Sequence, residues 1–471
     1  MEHDEKGGSM SEKESESGTS RRDFLRMASL GGVAMVGGGL LAACADDEGG
    51  GTSTTAGGAA TTTAAGATTT SAAPAGRPIK IGYVSPQTGP IAAFGEADQF
   101  VIEAVQAQWV DGITVAGTVH PVEIVTRDTQ SDPVVAGQVA EELILDEAID
   151  LMLVASTPET TNPVADQCEI NGIPCVSTVA PWQPWFFGRG GDPTVGFTWT
   201  YHYFWGLEGL IPQFIALWDK LETNKIVGGL FPNDGDGQAW GDPELGFPPA
   251  LEAAGYTIVD PGRYENLSGS FSTQIAAFAE AGAQIITGVP LPPDFATFWT
   301  EAAQQSLTPV AATIGKAILF PAAVEALDGD SGDGLTSEVW WSPGHPFSSS
   351  LTGQSAQEVA DAYTAATDRQ WTQPIGFVHS LFEVAADVLG RTQDIEDKQS
   401  ILGAVTGTNL ETLVGPVNWT VAGPVPNVTT TPLVGGQWVL GSGDFKYDLL
   451  VVDNSQTPSV PLTGEIKPIG G

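Results

Sequence analysis

The side chains best able to do chemistry in this sequence are few and scattered. Beyond residue 43 the histidines are His120, His202, His345 and His379, with no pair at metal-ligand spacing and no H-E-x-x-H or C-x-x-C. The strained serine elbow G-x-S-x-G and the phosphate loop G-x-x-x-x-G-K-[ST] are also missing, so acyl transfer and nucleotide hydrolysis lack their machinery. Asp234 and Asp236, with Asp242 nearby, form only a fragment of a calcium loop, and a solvated turn is the simpler reading. These patterns point away from an enzyme and from any metal or other cofactor. The chemistry left is recognition.

A second set of residues concerns location. Ser20-Arg21-Arg22-Asp23-Phe24-Leu25, a weakly apolar run to Leu40 and then Leu41-Ala42-Ala43-Cys44 resemble a twin-arginine (Tat) export signal that ends in a lipobox. Glycines at 31, 32 and 37–39 make that run a poor core helix. Residues 1–43 are therefore expected to be a signal peptide and Cys44 the lipidated anchor, which puts the protein on the outer face of the cell membrane. Residues 44–77, largely Thr, Ala, Gly and Ser, have almost nothing to bury and read as a disordered tether. Cys168 and Cys175 remain. Export permits a disulfide between them, and two buried free thiols are the alternative.

Charge excludes one class of partner. With 18 Lys and Arg against 57 Asp and Glu, the chain carries a formal charge of −39. No basic face can form against that field, so nucleic acid is not a partner. The excess acid suits solubility or a salty habitat.

The elements that must position any site alternate along the chain. Short β-rich runs at 79–84, 122–125, 151–154 and 174–177 are separated by helical patterns at 94–109, 133–144 and 162–170. A second series places strands at 225–230, 256–259 and 283–287, with helices near 245–254 and 273–281. The fold class is α/β, as two doubly wound parallel-sheet lobes. Ligands of such sheets sit beyond the carboxyl ends of the strands, so the loops after Val84, Val154, Val176 and Leu230 are where a site is expected.

Those loops carry a resemblance. Ile81-Gly82-Tyr83-Val84-Ser85-Pro86-Gln87-Thr88-Gly89-Pro90 with Ala93-Phe94-Gly95-Glu96 resembles the opening of the leucine/isoleucine/valine-binding family of extracytoplasmic solute-binding proteins. Arg127-Asp128-Thr129-Gln130-Ser131-Asp132-Pro133, Ser156-Thr157, the segment 172–177 and Val414-Gly415-Pro416-Val417-Asn418-Trp419 are similar to later motifs of that family, in order. The resemblance implies a periplasmic-binding-protein type I fold, with a three-strand hinge near Thr200, Glu338–Trp341 and Asn427–Thr431. Lobe 1 would take 78–200 plus 340–429, and lobe 2 would take 201–339 plus 430–471. It also implies a monomer that closes on a small-molecule ligand and hands it to an ABC permease. A sensor that signals to a membrane receptor or kinase is the alternative with the same head.

Carried over by position, the resemblance assigns Phe94 as the aromatic cover, and Ser156, Thr157, Val179 and Pro181 as holders of an amino acid's carboxylate. Lys316 falls where the family has the acid that pairs with the α-ammonium, and Phe204 or Trp205 replaces a second acid. Asp236 stands in for a tyrosine, and Phe377 for a ligand-touching aromatic. The cluster Trp182, Trp185, Phe186 and Phe187, with Trp340 and Trp341, adds rings near the cleft; Trp182 is the one assigned to the ligand. The expected solute is a branched-chain or apolar amino acid, an amide or an aromatic carboxylate, with Lys316 attracting the anionic end.

Overall fold

The computed structural model describes residues 76–470. The signal expected over 1–43, Cys44 and nearly all of the tether lie outside the described residues. The tether is expected to run to residue 77, but the fold claims its last two residues. The Gly76 N–H donates to the Val119 carbonyl, and Arg77 forms ion pairs with Asp150 and Glu396. No helix among the described residues is long and apolar enough to cross a membrane.

Strand β1 (Ile79–Ser85) is followed by a hairpin of β2 (Ile113–Val115) and β3 (Thr118–His120), then by β4 (Val122–Asp128), β5 (Leu151–Ala155), β6 (Cys175–Thr178) and β7 (Thr200–Tyr203). The chain continues through β8 (Ile226–Leu230), β9 (Thr257–Val259), β10 (Ile285–Gly288), β11 (Ala311–Ile314) and β12 (Thr336–Val339). A second hairpin, β13 (Asn409–Thr412) with β14 (Gly415–Asn418), precedes β15 (Val428–Thr429), β16 (Val434–Leu440) and β17 (Tyr447–Asp453). One sheet has the order β15-β7-β6-β5-β1-β4 and the other β17-β16-β12-β11-β10-β8-β9.

The first sheet is parallel throughout. Every residue of β5 and of β6 is buried, as expected of strands covered by helices on both faces. The second sheet is parallel from β9 to β12 and then adds β16 and β17 antiparallel, which the expectation of purely parallel lobes did not include. Local signals set the helix ends. Asp132 accepts hydrogen bonds from the Val134 and Val135 N–H groups ahead of Pro133 at the first turn of the helix Pro133–Leu145. Gly172, at φ 69°, ends the helix Pro158–Asn171 in the left-handed conformation and turns the chain into β6.

Three segments connect the sheets. The first leaves β7 through Phe204, Trp205 and Gly206 into the helix Leu207–Trp218, a few residues past Thr200, because Thr200–Tyr203 pairs along the whole of β6. The second leaves β12 through Trp340 and Trp341, and the third links β15 to β16. Of the two readings left open for the cysteines, the structure shows the free thiols. Cys168 and Cys175 are both buried in the apolar layer between the helix Pro158–Asn171 and the sheet. Burial, with the neighbouring thiol, pushes Cys168 well above the ordinary thiol value.

Candidate functional site

A cavity of about 320 Å³, counting space open to solvent, lies between the carboxyl ends of the two sheets. Most of that space is open to solvent; the part a water-sized sphere can occupy is about 20 Å³, so an organic solute needs the two sides to stand further apart. Each wall comes from the loop that follows a strand. Phe94 sits in the short turn Ala92–Gly95 after β1, Thr157 after β5, and Val179 and Pro181 after β6. Phe204 and Trp205 enter from the first crossing, and Trp340 from the second. The other sheet contributes Asp236 and Trp240 from the helix Gly235–Trp240, Val289 after β10, Lys316 and Leu319 after β11, and Glu338 from β12 itself.

Two of these positions are held under backbone strain. Val179 has φ 76° and Lys316 φ 56°, left-handed conformations that side-chain-bearing residues rarely adopt and that are an outlier for a β-branched valine. Strain of this kind persists where the surroundings over-determine it, and it gathers at ligand sites. At the loop after β8, a Cβ on Gly237 would lie 1.9 Å from the Pro232 carbonyl oxygen. Glycine is required there for the Asp234–Asp236 turn to approach so closely.

The electrostatics centre on Lys316, which is only 3% exposed. Its Nζ lies 2.7 Å from Asp236 Oδ2, 3.3 Å from Asp234 Oδ2 and 4.0 Å from Glu159 Oε2. Burial alone would lower this ammonium, but the three carboxylates outweigh it and hold it well above the ordinary lysine value. Burial also pushes the Asp236 carboxyl up to about 7 despite Lys316, with Glu159 and Asp234 adding to the rise. Glu338 is pushed up to about 8 by burial, and its Oε2 accepts a hydrogen bond of 2.9 Å from Ser337. Glu159 also bridges the cleft directly, its Oε1 accepting from the Gly235 N–H at 3.0 Å.

Several polar atoms of the lining have no protein partner. They are the Thr157 hydroxyl, Asp236 Oδ1 and the indole N–H groups of Trp205, Trp240 and Trp340. Buried polar groups are nearly always hydrogen-bonded, so this concentration marks places where a bound molecule would complete them.

Seven of the ten residues assigned from the sequence line the cavity: Phe94, Thr157, Val179, Pro181, Trp205, Asp236 and Lys316. Three do not. The Ser156 hydroxyl is turned inward to Thr160 Oγ1 at 2.6 Å, and its carbonyl accepts from Thr161. Trp182 donates its indole N–H to Glu208 at 2.8 Å and packs at a tilt against Phe187. Phe377 stands one layer behind the wall, its ring centroid 5.0 Å from Phe204 and 5.1 Å from Trp340. Lys316, expected to draw in an anion, already has three carboxylates around it. Asp234 and Asp236 spend their charge on this lysine, and Asp242 caps the next turn through the Glu244 and Leu245 N–H groups.

Glu338, Trp240, Val289 and Leu319 were missed. Trp240 stands four residues after Asp236, one helical turn along the same face, which is a readable signal. Glu338 is an acid inside a fully buried strand, a contradiction that by itself asks for a function.

The profile of the periplasmic binding protein family matches residues 78–433. No curated protein matches the chain. Among solved structures, a leucine-binding protein LivK from Thermotoga maritima is similar, at 18% identity and TM-score 0.60, over 79% of this chain and 97% of that one. The branched-chain amino acid transporter substrate-binding protein LivJ from Streptococcus pneumoniae, in complex with isoleucine, shares 15% identity, with TM-score 0.62 over 80% and 99% of the two chains. A solute-binding protein of an ABC transporter from Rhodopseudomonas palustris, in complex with 3,4-dihydroxybenzoic acid, shares 17% identity, with TM-score 0.63 over 82% and 99%.

Proposed function

Because this chain belongs to the periplasmic binding protein family, we propose that it captures a small organic solute between its lobes, outside the cytoplasm, and delivers it to the permease of an ABC importer. The observation that carries the reading is the cleft whose unpartnered hydroxyl, carboxylate and indole groups come from both sides at once. A ligand that touches both lobes stabilises only the closed arrangement, and that difference is what a membrane partner can sense. Glu159 and Gly235 join across the cleft when the lobes meet, which supports a closed state with a defined geometry.

The candidate solutes are a branched-chain or apolar amino acid, an amide or an aromatic carboxylate. The isoleucine and dihydroxybenzoate complexes of similar folds support that range. Phe94, Thr157, Val179, Pro181, Trp205, Asp236 and Lys316 would contact the solute, joined by Phe204, Trp240, Glu338 and Trp340. The reading needs no catalytic residue. Lipidation of Cys44 would keep the binding head near its permease at the outer face of the membrane.

The test is thermal unfolding of the full chain against amino acids, short amides, aromatic acids, sugars and amines, combined with small-angle scattering. A true ligand at a thousand times its Kd adds about 4 kcal/mol, a visible rise in Tm, and its compaction of the chain reports closure. No Tm shift and no compaction with any compound would overturn the reading.

A further inference from the structure

The cavity is short of positive charge. Around the single ammonium of Lys316 stand Asp236, Asp234 and Glu159, and of the carboxyls Asp236 and Glu338 line the cavity itself. Lys316 is satisfied by its two nearest partners. Asp236 Oδ1 has no protein partner, although Asp236 is only 2% exposed. Asp236 shares that one ammonium with Asp234 and Glu159, and a buried carboxyl short of counter-charge either takes a proton or waits for a cation.

The rest of the wall is aromatic. Phe204 lies 4.9 Å from the Trp205 ring and meets Trp340 edge-on at 5.2 Å, and Phe94 and Trp240 add two further rings to the lining. Ring faces attract ammonium groups, most strongly where water is excluded. The opposite capacity is thin. Ser156 has turned its hydroxyl to Thr160, Pro181 has no N–H, and Lys316 is already engaged, so little remains to hold a ligand carboxylate. The Thr157 hydroxyl and three indole N–H groups, all neutral donors, can still donate to one or two ligand oxygens.

We propose that the cavity takes a small organic cation, an amino alcohol or a quaternary ammonium bearing a hydroxyl or ether oxygen, with Asp236 and Glu338 as its counter-charges and the tryptophan faces as its cage. Lys316 does not repel such a ligand, because Asp236 and Asp234 meet its charge at 2.7 and 3.3 Å. The cation takes the place of protons on the two acids, so binding releases protons. This inference rests on the capture reading above and narrows its ligand class.

The experiment is calorimetric titration of the full chain with choline, tetramethylammonium, leucine and 4-hydroxybenzoate at pH 6, 7 and 8, in buffers of different ionisation heat. Choline is expected to bind, to release protons, and to weaken roughly tenfold as the pH falls by one or two units, the linkage of about one proton. Glu338→Gln should weaken choline at least tenfold without lowering the Tm of the unliganded chain, because glutamine replaces a carboxyl that the fold keeps protonated at neutral pH. Binding by leucine or 4-hydroxybenzoate with none by choline or tetramethylammonium would overturn the cation assignment and leave solute capture standing. So would choline binding that tightens toward pH 6 or is indifferent to Glu338→Gln. Absence of binding by all four overturns the cation assignment, and capture itself then stands or falls on the wider panel of the preceding section.

Discussion

Lys316 shows how a single residue changes meaning between sequence and structure. Along the chain it is an isolated cation, and isolated cations attract anions. In the fold it is a buried ammonium held in a left-handed backbone conformation by Asp236, Asp234 and Glu159. Breaking a buried ion pair from one side leaves uncompensated charge, at a cost of about 3–5 kcal/mol. Lys316→Met is therefore expected to lower the denaturation midpoint strongly, and a urea titration that finds it within 1 kcal/mol of the parent would contradict this account. The residue types of the site were largely legible, since Phe94, Thr157, Trp205 and Asp236 all stand on the cavity wall. Side-chain direction was not. Ser156 sits next to Thr157 but turns away because Thr160, four residues on, offers a hydroxyl at 2.6 Å.

At the level of elements, strands and helices with strong local signals were legible. The β-rich runs at 79–84 and 151–154 are β1 and β5, and the helix expected from Pro133 begins there, capped by Asp132. The antiparallel strands β16 and β17 went unread. Val434-Gly435-Gly436 gives a weak strand pattern, and only pairing with β12 and packing against the helix Leu207–Trp218 make it one. Gly172 offers a test of a local rule with a tertiary consequence. Its φ of 69° excludes a comfortable side chain, and an added Cβ would meet the Trp199 ring at 3.3 Å. Gly172→Ala should cost about 1–2 kcal/mol, the penalty of a left-handed residue with a Cβ. A change below 0.5 kcal/mol in chemical denaturation would refute it.

For the molecule as a whole, buried acids and histidines set the pH response. Burial pushes Asp98, Asp236 and Glu383 up to about 7 and Glu338 up to about 8. It pushes His202 down to about 3, and His345 and His379 down to about 4. The folded acids keep protons that the unfolded chain sheds near pH 4, so their contribution is lost as pH rises toward 8. The folded histidines refuse protons that the unfolded chain binds below about 6.5, so theirs is lost as pH falls. Between pH 5 and 6.5 the three histidines offset only part of what the four acids lose, and less of it as pH rises. Above 6.5 only the acids matter, and the Tm of the unliganded chain should fall from pH 6.5 to 8.5. A Tm that rises over that interval would contradict the burial of these carboxyls. By itself the sequence determined the alternation of strands and helices, the loops that would hold a site, and the absence of recognisable catalytic motifs, because periodicity, caps and spacing act within a few residues. The tertiary structure alone decided that Lys316 is neutralised by Asp234, 82 residues away, that Glu338 faces the ligand space, and that Cys168 and Cys175 stay thiols. Such contacts join segments far apart in the chain, and their chemistry exists only once packing has excluded water and brought the charges together.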